Sequence, residues 1–209
     1  MTTLPSPTPP TDRKKYRTIC ADPPWPMKDS GPRTHSDAGD WNTGRGTDGR
    51  NSRLSYPTMS IDEINALPVP DFAERSAHLY LWAVNAYLED AYRVARAWGF
   101  KPSTLLTWCK PPMGLGFGGT FVNTTEFILF CRRGGLKATR RWPSTWHEAG
   151  RPYLGAGPTH SAKPDCFNDI VEQVSPGPYL ELFARRQRLG WDSWGNECRC
   201  DVEMVAREK

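Results

Sequence analysis

The stretch Tyr16-Arg17-Thr18-Ile19-Cys20-Ala21-Asp22-Pro23-Pro24-Trp25 decides how the fold is read. Tyr16 to Ala21 predicts a short buried strand. It must stop at the two prolines, because proline has no amide hydrogen to donate to a sheet ladder. The Asp-Pro-Pro-Trp turn is therefore expected at a strand's carboxyl end. Upstream, residues 1 to about 14 are rich in Pro, Thr and Ser and read as a flexible arm that buries little. Downstream, Met27 to Ser55 holds Gly, Ser, Thr, Asp and Arg with almost no aliphatic residues, the composition of a long polar loop that could serve as a lid.

Further along the chain, helix and strand signals alternate. Ser60-Ile61-Asp62-Glu63 is a capping-box pattern that opens a short helix ending before Pro68. A strand is expected over His78 to Val84. Tyr87 to Trp98 then sets Leu88, Ala91, Val94, Ala95 and Trp98 on one helical face, with Gly99 placed to end the helix. Thr104 to Cys109 and Glu126 to Cys131 are β-rich runs. Lys163 to Val174 predicts a second amphipathic helix, stopped by Pro176-Gly177, and Tyr179 to Phe183 another buried strand. The alternation predicts an α/β fold with a mostly parallel central sheet covered on both faces. Ligands of such sheets bind beyond the carboxyl ends of the strands, where the strand order reverses. Asp22 follows the first strand, and Glu181, Phe183 and Arg185 lie on or just after the last buried one. Folding is expected to join them around a two-ligand crevice.

Composition narrows the class. The 209 residues suit one α/β domain, expected over residues 15 to 200, with the arm before it and a tail over 201 to 209. The 27 Lys and Arg against 23 Asp and Glu leave +4, too mild to mark a nucleic-acid binder by net charge alone. No apolar run is long enough to span a bilayer, and the first residues lack the apolar core of a secretory signal, so a soluble cytoplasmic protein with no membrane partner is expected. The six cysteines include no C-x-x-C pair and read as spectator thiols; Cys198 and Cys200 lack further ligands nearby, so no metal is expected. Gly114-Leu115-Gly116-Phe117-Gly118-Gly119 matches a dinucleotide-loop spacing, but a strand-like run follows instead of the helix such a site needs.

Asp-Pro-Pro-Trp offers one chemical role per residue. Adenine's exocyclic amine is a poor nucleophile because its lone pair is delocalised into the ring. The Asp22 carboxylate and the Pro23 carbonyl could each accept one amine hydrogen, leaving the lone pair aimed at an electrophilic carbon. Asp22 also places negative charge where positive charge develops. Pro23 and Pro24 hold the backbone in advance, and Trp25 supplies a π face for an unstacked base. Alternatively, the motif is no more than a proline turn ending a strand.

Context separates the two readings. Ala21-Asp22-Pro23-Pro24-Trp25, Tyr56-Pro57-Thr58-Met59, Leu79-Tyr80-Leu81-Trp82, Trp98-Gly99-Phe100, Trp108-Cys109-Lys110, His160-Ser161-Ala162-Lys163-Pro164, Ser175-Pro176-Gly177, Glu181-Leu182-Phe183-Ala184-Arg185 and Trp194-Gly195-Asn196 occur in this order. Together they resemble the DPPW-type adenine methyltransferase family, over about Tyr16 to Glu197. The resemblance implies a Rossmann-like methyltransferase fold with the base-gripping motif ahead of the cofactor strand, S-adenosylmethionine as cofactor, and Asp22, Pro23, Pro24 and Trp25 as catalytic residues. It implies that Lys163 meets the cofactor's methionine carboxylate, and that Glu181, Phe183, Arg185 and Asn196, with Asp22, surround the rest of it. Glu181 is expected to need hydroxyl or Arg185 partners, since a carboxylate in an apolar strand is costly to bury unpaired.

On the substrate side, Tyr56 either closes over the base or cofactor or anchors its loop to the core. Asn123 and Glu126 match family positions near the cofactor pocket, while Trp191 reads as a neighbouring core aromatic. Arg132, Arg133, Lys137, Arg140 and Arg141, interleaved with Trp142, form the densest basic segment, either a phosphate-neutralising surface or a solubilising loop. Arg33, Arg45, Arg50 and Arg53 could form an opposing wall. No Cys/His array of an RNA-reading zinc finger is present, which favours a compact DNA modifier acting as monomer or homodimer. The alternatives are methylation of RNA adenine, of a cytosine amine, or a catalytically silent nucleic-acid-binding partner.

Overall fold

The computed structural model describes residues 13–26, 57–110, 121, 123–148, 163 and 165–204. Strand β1 spans Tyr16–Ala21, the expected bounds, and all its residues but Arg17 are buried. Its apolar residues have no solvent face, which suits a central strand flanked on both sides. Helix α1 (Ile61–Ala66) opens on the predicted capping box, with the Ser60 side chain accepting from the Glu63 amide and the Glu63 carboxylate accepting from the Ser60 amide. A short α2 (Val69–Phe72) leads into β2 (Ala73–Ala83), which begins five residues earlier than the predicted strand. A 3₁₀ turn at Asn85–Tyr87 precedes α3 (Leu88–Ala97); Gly99 at φ +78° ends it, a backbone angle that suits glycine. Then come β3 (Lys101–Cys109), β4 (Thr125–Arg133), β5 (Trp146–Glu148), α4 (Asp165–Val174), β6 (Tyr179–Leu182) and β7 (Trp191–Trp194).

The strands form one seven-stranded sheet in the order β5-β3-β4-β2-β1-β6-β7. It is mostly parallel, as expected, but mixed: β4 runs antiparallel to both β2 and β3. The edge strands β5 and β7 were not anticipated. Each is four residues or fewer, and pairing with β3 and β6 completes what so few residues could not hold alone. From β1 the chain crosses to β2 on one side, and β6 arrives on the other, so the strand order reverses between β1 and β6.

Strand alternation divides the core into two layers. Ile19, Ala21, Leu79, Leu81, Leu129, Leu180 and Leu182 face Val94, Ala95 and Ile64 of α3 and α1. Cys20, Tyr80, Trp82, Trp108 and Ile128 face Phe167 and Val171 of α4. Helices therefore cover both faces. Near the strand starts, His78 is fully buried, its Nδ1 2.7 Å from the Ser175 hydroxyl and its Nε2 3.2 Å from the Leu136 carbonyl, and Tyr80 shares the same hydroxyl. This Ser-His pair is a satisfied core cluster. Burial lowers the imidazole's pKa.

Lys163 precedes α4, although the amphipathic pattern placed it at the helix start. Pro164 accounts for the shift, since the residue before a proline is pushed out of the helical region.

Candidate active site

Because β1, β2, β6 and β7 are parallel, their carboxyl ends meet on one rim of the sheet. Ala21 lies opposite Leu182, and the Asp22 amide donates to the Leu182 carbonyl at 3.4 Å. A cavity of about 180 Å³ opens there. Asp22, Pro23, Pro24 and Trp25 form one wall, while Lys163, Phe183, Arg185 and Asn196 form another. Residues nearly the whole chain apart are thus joined at the reversal point in strand order. Pro57, Thr58, Met59, Val84, Ala184, Trp194, Gly195 and Glu197 complete the lining.

Local hydrogen bonds hold the proline turn. The Trp25 amide donates to the Pro23 carbonyl at 2.8 Å, and the Met59 amide donates to the Pro24 carbonyl at 2.9 Å. A carbonyl oxygen has two lone pairs, so Pro23 retains one acceptor position. Trp25 is only 6 % exposed; its indole N–H donates to the Trp82 carbonyl at 3.1 Å, and its ring stacks on Tyr87 at 5.9 Å. The aromatic end of the motif thus anchors the turn in the core, and one ring face is already occupied.

The charge arrangement is the site's main chemical feature. The Lys163 ammonium lies 2.9 Å from an Asp22 oxygen and 3.1 Å from a Glu126 oxygen, and 5.0 Å above the Trp82 ring. Lys110 binds the other Glu126 oxygen. Two ammonium groups and two carboxylates alternate in a chain ending at the proline turn. Burial pushes the Asp22 carboxyl above the usual aspartate range, against the pull of Lys163. Burial would raise Glu126 as well, but its two lysines outweigh that and hold it below the usual range. Both carboxylates keep Lys163 protonated despite its burial.

The cavity's far wall depends on a close backbone approach. Phe183 leaves β6 at φ +63°, outside the strand that the sequence pattern assigned to it, and packs edge-on against Trp194 at 5.3 Å. The Ala184 amide donates to the Trp194 carbonyl at 2.9 Å. A methyl group on Gly195 would lie 2.0 Å from the Ala184 carbonyl oxygen and 2.6 Å from its nitrogen. Backbone atoms cannot swing aside, so Gly195→Ala is expected to part β6 from β7, lowering both thermal stability and affinity for whatever ligand the wall holds. Paired melting and calorimetric titration check this; unchanged values would contradict it.

The remaining predicted site residues divide. Glu181 points to the α4 face and accepts from the Asn168 amide at 3.3 Å, while Arg185 pairs with Glu197 at 3.8 Å. Hydroxyl or Arg185 partners were expected for Glu181; the partner found is the Asn168 amide, and Arg185 lies beyond the end of β6, beside Glu197. Glu181 is absent from the cavity lining. Asn123 is exposed just before β4, on the same rim. Tyr56, Arg33, Arg45, Arg50 and Arg53 lie outside the described residues.

The basic segment does not reach the cavity. Because β4 is antiparallel, Glu126 lies at the cavity rim, whereas Arg132 and Arg133 end the strand about 20 Å away. Arg133 donates to the Pro70 carbonyl at 3.1 Å and Arg140 to the Gln173 side chain at 3.1 Å. Lys110 was not singled out as a site residue; its only signal was its place in the Trp108-Cys109-Lys110 motif. Among the described residues, no group of three or more His, Cys, Asp or Glu converges as metal ligands would, and no helix is long and apolar enough to cross a membrane.

Fold and site together define a Rossmann-like methyltransferase. The MT-A70 family model matches residues 16–197, and the chain belongs to that family. It is 31% identical over 189 residues to the Type II methyltransferase M.MunI of Mycoplasma sp, covering 88% of this chain and 78% of that protein. It is 27% identical over 192 residues to the N6-methyladenosine RNA methyltransferase MTA1 of Cryphonectria parasitica, covering 86% of this chain and 50% of the relative. It is 24% identical over 213 residues to the human N(6)-adenine-specific methyltransferase METTL4, covering 88% and 38%. The chain thus spans half or less of the latter two relatives' length.

Proposed function

We propose that the protein transfers the methyl group of S-adenosylmethionine to the N6 amine of adenine in DNA. The observation that carries this is the Lys163–Asp22 pair at 2.9 Å, set in a cavity whose wall is the proline turn. The residues fit the cofactor. An ammonium and a carboxylate side by side are complementary to the charged ends of its methionine portion, with Lys163 for the carboxylate. Phe183, Arg185 and Asn196 would hold its nucleoside, with Glu181 supporting from the strand behind. When bound, the cofactor supplies an electrophilic methyl carbon on a sulfonium.

This chain's own groups do the rest. Asp22 and the free acceptor position of the Pro23 carbonyl take the two amine hydrogens, which turns the nitrogen lone pair out of conjugation and holds it in line. Asp22, in its ionised form, offsets the positive charge that grows on nitrogen. The Trp25 anchor and the two prolines keep both acceptors in place before the base arrives.

DNA is favoured over RNA for two reasons. Of the relatives named above, the Type II methyltransferase is the one this chain covers most, whereas the RNA methyltransferase is matched over only half its length. In addition, among the described residues no Cys/His array of the kind that reads RNA is present. Incubation with cofactor and unmethylated DNA, matched RNA, or DNA lacking adenine, followed by mass spectrometry of the digest, tests the reading. N6-methyladenine from DNA is expected; the same product from RNA alone would redirect the substrate, and product from none would overturn the activity.

A further inference from the structure

The sheet edge formed by β5 carries chemistry that the cavity does not use. The register Trp146↔Thr107↔Phe127↔Ala83 sets Trp146 two rows beyond the Ala21↔Leu81 pair, on the same rim as Asp22. Four strand spacings separate β5 from β1, about 19 Å. That distance matches about six nucleotide steps at about 3.4 Å each.

Trp146 is 56% exposed, which is unusual for so large an apolar side chain. Behind it the segment doubles back along the edge. Trp142 tilts against His147 with ring centres 6.3 Å apart, and His147 stacks on Trp108 at 5.9 Å. Arg141 and Lys137 are exposed, and Arg140 is braced on Gln173. Residues 132–148 hold five Lys and Arg against one Glu, an excess equal to that of the entire chain. Burial lowers the His147 pKa, so the imidazole adds no charge near neutrality. Arg132 and Arg133 belong to the far end of β4, and Lys137 and Arg140 lie toward that same end, where the Leu136 carbonyl meets His78 and Arg140 meets Gln173; that leaves Arg141, next to Trp142, as the cation of this edge.

We propose that the β5 edge is a second contact for the DNA strand, about six nucleotides from the target adenine, with Arg141 against its phosphates and Trp146 against a sugar or unstacked base. A cation beside an exposed indole suits this polymer, which repeats a negative charge and an aromatic face at each step. The proposal rests on the DNA reading above.

The test compares wild type with Arg141→Ala/Trp146→Ala, both exposed positions outside the cavity wall. Anisotropy measures binding to a labelled 30-mer duplex and to a hexamer centred on the target adenine, each across a salt series. On the 30-mer the variant is expected to bind about tenfold more weakly, with the salt slope reduced by about one. On the hexamer the two proteins are expected to match. Equal affinity and slope on the 30-mer would overturn the proposal, as would an equal loss on the hexamer. Binding is read without turnover, so absence of methylation in wild type would sink the proposed activity and leave this result standing or falling by itself.

Discussion

Asp22→Ala is expected to lower the rate of methyl transfer about a thousandfold or more while leaving the fold intact. The carboxylate is one of two acceptors for the amine and the only one that carries charge, so its loss removes both orientation and electrostatic support. Lys163 retains Glu126 at 3.1 Å after the change, so no buried ammonium is stranded. Mass spectrometry of digested DNA measures the rate, and circular dichroism confirms the fold. Substantial residual transfer would refute the role given to this residue.

The same carboxylate sets the acid side of the pH profile. It must be ionised to accept a hydrogen, and burial raises its pKa above the ordinary aspartate range. As pH falls, transfer is therefore expected to begin failing earlier than a solvent-exposed aspartate would dictate, and to reach a plateau once pH exceeds the raised value. In Asp22→Asn this limb should vanish along with most of the rate. A wild-type profile flat down to the ordinary aspartate range would count against Asp22 as the acceptor.

Lys163→Ala is expected to produce the second large effect, on binding and stability together. The ammonium lies between two carboxylates, and its side chain is only 16% exposed. Removing it leaves Asp22 without its close cation, at a cost of about 3 kcal/mol in unfolding free energy. Cofactor affinity is expected to fall about a hundredfold, since a charged, desolvated pairing with the methionine carboxylate is lost. Glu126→Gln in the same background relieves one of the two opposed carboxylates. It should restore part of the stability without restoring affinity. Denaturant titration and calorimetry separate the two quantities, and an unchanged dissociation constant would remove Lys163 from the cofactor's site.

Much of this was legible in the linear chain because it depends on short-range physics. Proline's missing amide hydrogen ended β1 where it does, and the Ser60 to Glu63 spacing placed the start of α1. Ala91, Val94 and Ala95 at helical spacing marked the buried face of α3. The edge strands were missed for the converse reason. Trp146–Glu148 is too short to show a period, and its conformation comes from pairing with β3. Glu126 and Lys110 carried only motif-level signals, because nothing in the chain records that Lys163 would arrive between Glu126 and Asp22.

The amino-acid order alone determined that a strand ends in two hydrogen-bond acceptors held by rigid prolines, within an alternating α/β pattern. That followed because backbone rigidity and side-chain period are local properties. The direction of β4 was settled only when the chain folded, since an apolar run pairs equally well either way until its neighbours are in place. That single reversal carries Glu126 to the cavity and sends Arg132 and Arg133 to the opposite end of the sheet. It separates the charges that tune the site from those that were read as one basic segment.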